Sequence, residues 1–405
     1  MTWEWVASVA ASHRPLARSG HLVPAAPRGR GPMCQRVPSP RCRRLAWLLA
    51  LIACVTLAAV PALARPSPER LAVLSHGINV TGWFRFPASR DPAALRGYLS
   101  DPAMARLKAV GFTFVRLAID PAVIDGSAMR QILLDQVRRL RRHGLGVVVS
   151  PHPVGWDLDA NAGDRRRLVA FWRDLAPALR GLDQATTFPE VLNEPVFRAE
   201  PAIWWRLQDE LRAAIRAALP DATIVLTGQD WGSIGGLLAL TPADDPNVVY
   251  SFHFYDPPEL TSLAAWRPGL DRAALARLPF PETGESECHA IATTAADAAT
   301  RGVVHFYCAS HWDSARVRSS LLRAVHWAAD HDVAQLVGEF GASAALNAAA
   351  RLAWLRLVRE ICAANGIGWA LWGWDDVMGL DVPRPPGIDP PLDRSVLDAL
   401  GLTVP

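Results

Sequence analysis

Phe188-Pro189-Glu190-Val191-Leu192-Asn193-Glu194-Pro195 is an apolar run that stops on two polar side chains and a proline. From Thr186 to Leu192 the chain is β-branched and apolar enough for a buried strand. Pro195 disfavours helix at Glu194 and ends the run there. An amide and a carboxylate are thereby delivered at the C-terminal mouth of a strand instead of inside a core. Alone, the stretch reads equally well as a surface turn. A second stretch of the same design, Ala334-Gln335-Leu336-Val337-Gly338-Glu339-Phe340-Gly341, supplies another strand-end glutamate. One carboxylic acid and one carboxylate facing each other are the requirement of a glycosidase.

Outward from these two stretches, apolar strand-like runs alternate with helix-period segments. Strands are expected at Gly77–Val80, Phe112–Ile119, Gly146–Ser150, Thr186–Leu192, Ala222–Thr227, Val248–Tyr255, Ala334–Gly341 and Gly368–Trp374. Helices are expected near 102–110, 129–143, 164–182, 202–218, 234–240, 314–330, 343–365 and 392–400. Eight strand–helix units with fully buried strands predict an α/β fold, a single-domain (β/α)8 TIM barrel over residues 65–405. The sixth unit carries a long, irregular insertion from Pro257 to His311. A doubly wound open sheet is the competing fold, but no Gly-rich phosphate turn follows the first strand.

In a barrel of this kind, catalytic groups gather where strands end. Here those ends carry Asn79, Arg116, His152, Asn193, Glu194, His253, Tyr255, Glu339 and Trp372. Each has a bland reading: Arg116 as a structural ion-pair partner, the histidines and Trp372 as core. Their convergence on one face favours a site.

These residues resemble glycoside hydrolase family 5, the cellulase family of the clan A retaining enzymes. Asn193-Glu194-Pro195 and Gly338-Glu339-Phe340-Gly341 look like its acid/base and nucleophile motifs. Arg116, His152, His253-Phe254-Tyr255 and Trp372 extend the match over roughly Gly77 to Trp374. Pro153 departs from the family, which often has an acidic or amide residue soon after that histidine. The resemblance implies Glu194 as acid then base and Glu339 as nucleophile. Arg116 and Tyr255 would hold Glu339, and Asn193 would bond the sugar 2-hydroxyl. Trp372 offers an indole face to the sugar, and His152, His253, Asn79 and Trp231 complete the expected substrate contacts. No cofactor or metal is implied.

Residues 1–64 hold eight arginines and one glutamate, so the other 341 residues carry 34 basic against 38 acidic side chains. The basic excess is confined to the N-terminus, and the body carries no nucleic-acid signature. Arg41, Arg43 and Arg44 precede an apolar run from Leu45 to Val60, then Pro61 and Ala62-Leu63-Ala64. That order predicts a signal peptide cleaved near Ala64, and an exported periplasmic or secreted product without stable membrane association. Met33 is an alternative start to Met1.

Three of the six cysteines lie beyond Ala64. Cys288 and Cys308 are expected to bridge, with Cys362 buried in a helix; three inert thiols is the alternative. Trp83, Trp156, Trp231, Trp266 and Trp312 fall on loops where sugar platforms would sit. Trp172, Trp204, Trp205, Trp327 and Trp354 fall in helices and read as packing. The expectation is a monomeric, exported retaining β-glycosidase acting on β-linked polysaccharide or oligosaccharide. A glucan-remodelling transglycosylase and a non-catalytic carbohydrate-binding barrel are the alternatives.

Overall fold

The computed structural model describes residues 65–282, 284–380 and 391–403. The expected leader, its cleavage site and both start codons lie outside the described residues. Among the described residues no helix is long and apolar enough to cross a membrane.

Eight parallel strands form one sheet: β1 (His76–Phe84), β2 (Phe114–Ile119), β3 (Gly146–Pro151), β4 (Thr187–Pro189), β5 (Ile224–Thr227), β6 (Val248–Phe254), β7 (Ala334–Phe340) and β8 (Gly368–Leu371). Their order is β4-β3-β2-β1-β8-β7-β6-β5, and a bridge between Glu190 and Val225 joins the two ends. The result is the predicted (β/α)8 barrel. Helices alternate with the strands on the outside, which leaves the strands buried on both faces, as parallel sheets require.

The barrel interior is built in layers by the two-residue period of each strand. Phe114, Val148, Phe188, Val225, Val249, Leu336 and Ala370, one from each of β2 to β8, form a single cluster closed by Leu74. Phe188 is fully buried there, and its truncation to alanine should cost about 3–5 kcal/mol. Two residues further along the strands the series becomes polar: Arg116, Ser150, Glu190, Thr227 and Ser251, all buried. The apolar layer is thus a floor, and the polar layer begins the site.

Three elements differ from expectation. β4 covers only Thr187–Pro189. Beyond it, Val191 N–H still reaches the Val225 carbonyl at 3.0 Å, and Asn193 N–H reaches that of Pro151 at 2.9 Å. β8 stops at Leu371, short of Trp374. The insertion after β6 is not irregular: it holds helices Pro258–Thr261, Arg272–Leu275, Glu285–Thr294 and Ala298–Ala309. The last begins on Asp297, whose carboxylate accepts the Thr300 N–H at 2.7 Å. Cys288 and Cys308 join the last two of these helices in a disulfide, and Cys362 is a buried free thiol.

Candidate active site

Everything at the mouth is arranged around Arg116 of β2, which solvent does not reach. Its Nε and Nη2 donate to the two oxygens of Glu190 at 2.7 and 2.9 Å. Nη1 donates to Glu339 Oε1 at 2.5 Å and to Asn79 Oδ1 at 2.9 Å. Nη2 also reaches Asn193 Oδ1 at 2.9 Å. Burial works against the charge on Arg116, but the carboxylates of Glu190 and Glu339 more than offset it and hold the guanidinium protonated.

Glu339 reaches this network through an irregularity in β7. Phe252 pairs with Val337 but His253 pairs with Glu339, so β7 carries one extra residue at Gly338. The same shift appears against β8, between Val337 and Phe340. Strict alternation from the interior residue Leu336 would turn Glu339 outward to the helices. The bulge turns it inward instead. A Cβ at position 338 would lie 2.3 Å from Ser251 Oγ and 3.3 Å from His253 Nε2, so the bulge is crowded for any residue but glycine.

Glu339 is completely buried, and its second oxygen accepts the Tyr255 hydroxyl at 2.9 Å. Burial beside the carboxylates keeps that phenol well above its ordinary pKa, so it stays a donor. Glu194 sits opposite, in a left-handed backbone conformation (φ 40°) just before Pro195. Such a conformation is costly for a residue with a Cβ, and it aims the carboxyl into the mouth. His253 Nδ1 lies 2.9 Å from Glu194 Oε1 and 3.4 Å from Glu339 Oε2. One oxygen from each glutamate and the imidazole nitrogen all fall within 4.8 Å of one another.

The electrostatics separate the two glutamates. Burial pushes Glu194 up to about 7, against the opposing pull of Arg85 and Arg116. Burial also raises Glu339, against the opposing pull of the Arg116 guanidinium. Burial drops His253 to about 4, so its imidazole is neutral near pH 7. Glu339 takes a guanidinium and a phenol donor, whereas Glu194 faces a neutral imidazole. The first ionisation of the pair therefore belongs on Glu339.

The remaining predicted residues divide between contact and support. Asn79 is wholly buried, with its amide spent on the carbonyls of Gly338, Ala370 and Leu371 at 3.1–3.4 Å. It therefore supports Arg116 and has no free edge for a ligand. His152, 2% exposed, has two ring nitrogens without a hydrogen-bond partner, and its ring lies 6.3 Å from that of Trp372. Trp372 packs with Tyr255 and Met378 beside Glu339.

A cleft of about 410 Å³ opens on the Glu194 side, and its walls include Arg85, His152, Trp156, Asn193, Glu194 and Trp231. Trp231 is anchored by its backbone N–H to the Pro195 carbonyl at 2.9 Å, and the Arg198 guanidinium lies over its ring at 4.3 Å. Arg167 covers Trp156 in the same way at 4.1 Å. The other expected platforms are elsewhere. Trp83 is buried in β1 and bonded to the Leu95 carbonyl, and Trp312 is 5% exposed. Trp205, expected to pack, is 40% exposed.

Two residues of the site escaped the sequence reading. Glu190 reads as strand interior, although a charge within an apolar strand is the same signal that marks Arg116. Arg85 follows β1 in a Trp-Phe-Arg-Phe run that carries no motif.

Among the described residues, Glu194, His253 and Glu339 are the one group whose ligand atoms converge closely enough for a metal ion. Both Glu339 oxygens are already engaged by Arg116 and Tyr255. An ion there would have to compete with a guanidinium at 2.5 Å.

A sequence model of the cellulase family, glycosyl hydrolase family 5, matches residues 76–377. Endoglucanase 3 of Fibrobacter succinogenes is 23% identical over 76% of this chain, a segment spanning 50% of that relative's length. Cellodextrinase A of Ruminococcus flavefaciens is 24% identical over 72% of this chain and 82% of its own. Among solved structures, endoglucanase Cel5A of Thermotoga maritima superposes with a TM-score of 0.66 at 20% identity, covering 82% of this chain and 98% of its own. The same enzyme has been crystallised with mannotriose and with cellobiose.

Proposed function

The chain belongs to the cellulase family, glycosyl hydrolase family 5, and from that premise we propose that it is an exported enzyme that hydrolyses β-linked, glucan-type oligo- or polysaccharide with retention of configuration. One observation carries the mechanism. Oxygens of Glu194 and Glu339 lie within 4.8 Å of each other, which fits the retaining spacing of about 5–5.5 Å between carboxyl groups and not the inverting one of about 6.5–9.5 Å.

In this reading Glu339, ionised between Arg116 and Tyr255, attacks the anomeric carbon as the glycosidic bond breaks. Glu194, held protonated by burial, gives its proton to the departing oxygen. It then takes a proton from water, which attacks the glycosyl-enzyme and releases Glu339. His253 between the two carboxyls passes or shares hydrogen bonds as their charges exchange. Asn193, oriented by Arg116, is the donor for the sugar 2-hydroxyl. His152 and Trp372 take the sugar ring. The glucan-type substrate rests on the names of the relatives, endoglucanases and a cellodextrinase. Export rests on the leader-like order before Ala64.

Azide rescue tests the assignment. Glu194→Ala should lose far more activity on substrates with poor leaving groups than on activated aryl glycosides. Azide should then yield the β-glycosyl azide. Glu339→Ala should be inactive on every substrate, with azide yielding the α product. The same stereochemistry from both variants would overturn the roles.

A further inference from the structure

Trp205 stands one turn into the helix Pro201–Ala218, which starts shortly after the Glu194 loop. It is one of the few large apolar side chains left exposed among the described residues, at 40%. Its ring is nonetheless fixed, because the indole N–H donates to Gln229 Oε1 at 3.1 Å. Gln229 is two residues before Trp231, a wall of the catalytic cleft. The exposed indole is thus tied to the rim of the site while lying outside it.

Below Trp205 a depression of about 240 Å³ runs down the flank of the barrel, lined by Leu226, Leu240 and Tyr250 as well as by Asp209, Arg212, Thr241 and Asp244. Asp209 is mostly exposed, and Thr241 and Asp244 are exposed too. Arg212 is held by Asp245 at 3.4 Å and pairs with Asp209 at 3.5 Å, both long contacts, and its Nε has no hydrogen-bond partner. A fixed indole face beside carboxylates, a hydroxyl and a guanidinium is an amphipathic surface. It offers an apolar plate for C–H groups and paired donors and acceptors for hydroxyl groups. Lipid or an apolar peptide would leave those charges desolvated and unmatched.

We propose that this depression is an auxiliary binding site for the polysaccharide, outside the catalytic cleft. The proposal rests on the function given above. A glycan too long for the cleft passes over the Trp231 wall and onto Trp205, so that both ends of the contact hold one chain. Tethering of this kind raises the local concentration of substrate without altering the chemistry.

The test compares Trp205→Ala, Trp205→Tyr and Asp209→Ala with the parent enzyme. Rates are taken on a short aryl β-glycoside and on a soluble long-chain β-glucan. Retardation in a native gel containing that glucan is followed in the Glu339→Ala background. Trp205→Ala should keep the aryl-glycoside rate within about twofold, lose about fivefold or more in kcat/KM on the polymer, and run faster in the glucan gel. Trp205→Tyr should recover part of both losses. Equal polymer rates and equal gel mobility would overturn the site, as would a loss that is the same on short and long substrates. If the parent cleaves no β-glycoside, the proposed function fails, while gel retardation that depends on Trp205 would still support the site.

Discussion

Arg116 donates to Glu339 at 2.5 Å, with neither side chain reached by solvent. The opposite edge of the same guanidinium holds Glu190 through two hydrogen bonds. One buried cation therefore stabilises two buried carboxylates, and only Glu339 faces the mouth. Breaking a buried pair from one side leaves an uncompensated charge, which costs about 3–5 kcal/mol.

Glu190→Gln should therefore lower the unfolding free energy by about 3–5 kcal/mol. It should also reduce kcat at least about tenfold, since a displaced Arg116 no longer fixes Glu339; a tenfold loss corresponds to about 1.4 kcal/mol. Urea denaturation and steady-state rates on an aryl glycoside check both. An unchanged midpoint would show that Glu339 alone suffices to balance Arg116.

The pH profile follows from Glu194. In the proposed mechanism turnover needs this group protonated, and burial pushes its pKa up to about 7. kcat/KM should therefore fall as pH rises through about 7. On an aryl glycoside whose leaving group needs no proton, that alkaline limb should weaken for the glycosylation step. A plateau extending to pH 9 with a poor leaving group would contradict the assignment.

Glu259 in the insertion is a buried carboxyl, raised by burial to about 7 from its ordinary 4.5. A raised carboxyl pKa contributes stability that is present at low pH and lost as pH rises through the folded value. Glu259→Gln should match the parent near pH 5 and exceed it near pH 8 by up to about 3 kcal/mol. Thermal melts at the two pH values give the comparison. Equal differences at both would show that the carboxyl does not titrate in this window.

The Cys288–Cys308 bridge closes 20 residues within the insertion. In the chain-entropy picture its loss should cost about 3 kcal/mol. Cys288→Ser should lower Tm under non-reducing conditions, with little further effect of a reductant. Cys362 should react slowly with a thiol reagent in the native protein, because it is buried and its pKa is pushed up to about 12.

Much of this molecule was legible in order along the chain. Buried parallel strands are short apolar runs, and their polar endings at Asn193-Glu194, His253 and Glu339 mark one mouth. Local composition determines these features, so the eight-strand barrel and its ring of polar strand ends follow from sequence. The Cys288–Cys308 pairing follows from their place flanking part of the insertion and from the leader-like segment that points to an oxidising space. The helices of the insertion were missed, since their alanine-rich segments carry little periodic contrast.

What the tertiary structure alone decided lies in register and burial. The extra residue at Gly338 turns Glu339 into the barrel mouth, and its effect depends on how β7 pairs with β6 and β8. Gly338 within an apolar strand is a local hint of a bulge, but only the pairing fixes where the extra residue falls. The coupling of Glu190 to Arg116 spans 74 residues, and the pKa of Glu194 is set by desolvation that exists only in the closed barrel. Trp205 is the converse case: a tryptophan in a helix reads as packing, and only the placement of the neighbouring elements leaves it exposed. Sequence specifies which side chains arrive at each strand end, whereas long-range pairing and exclusion of water determine where they point and what charge they carry.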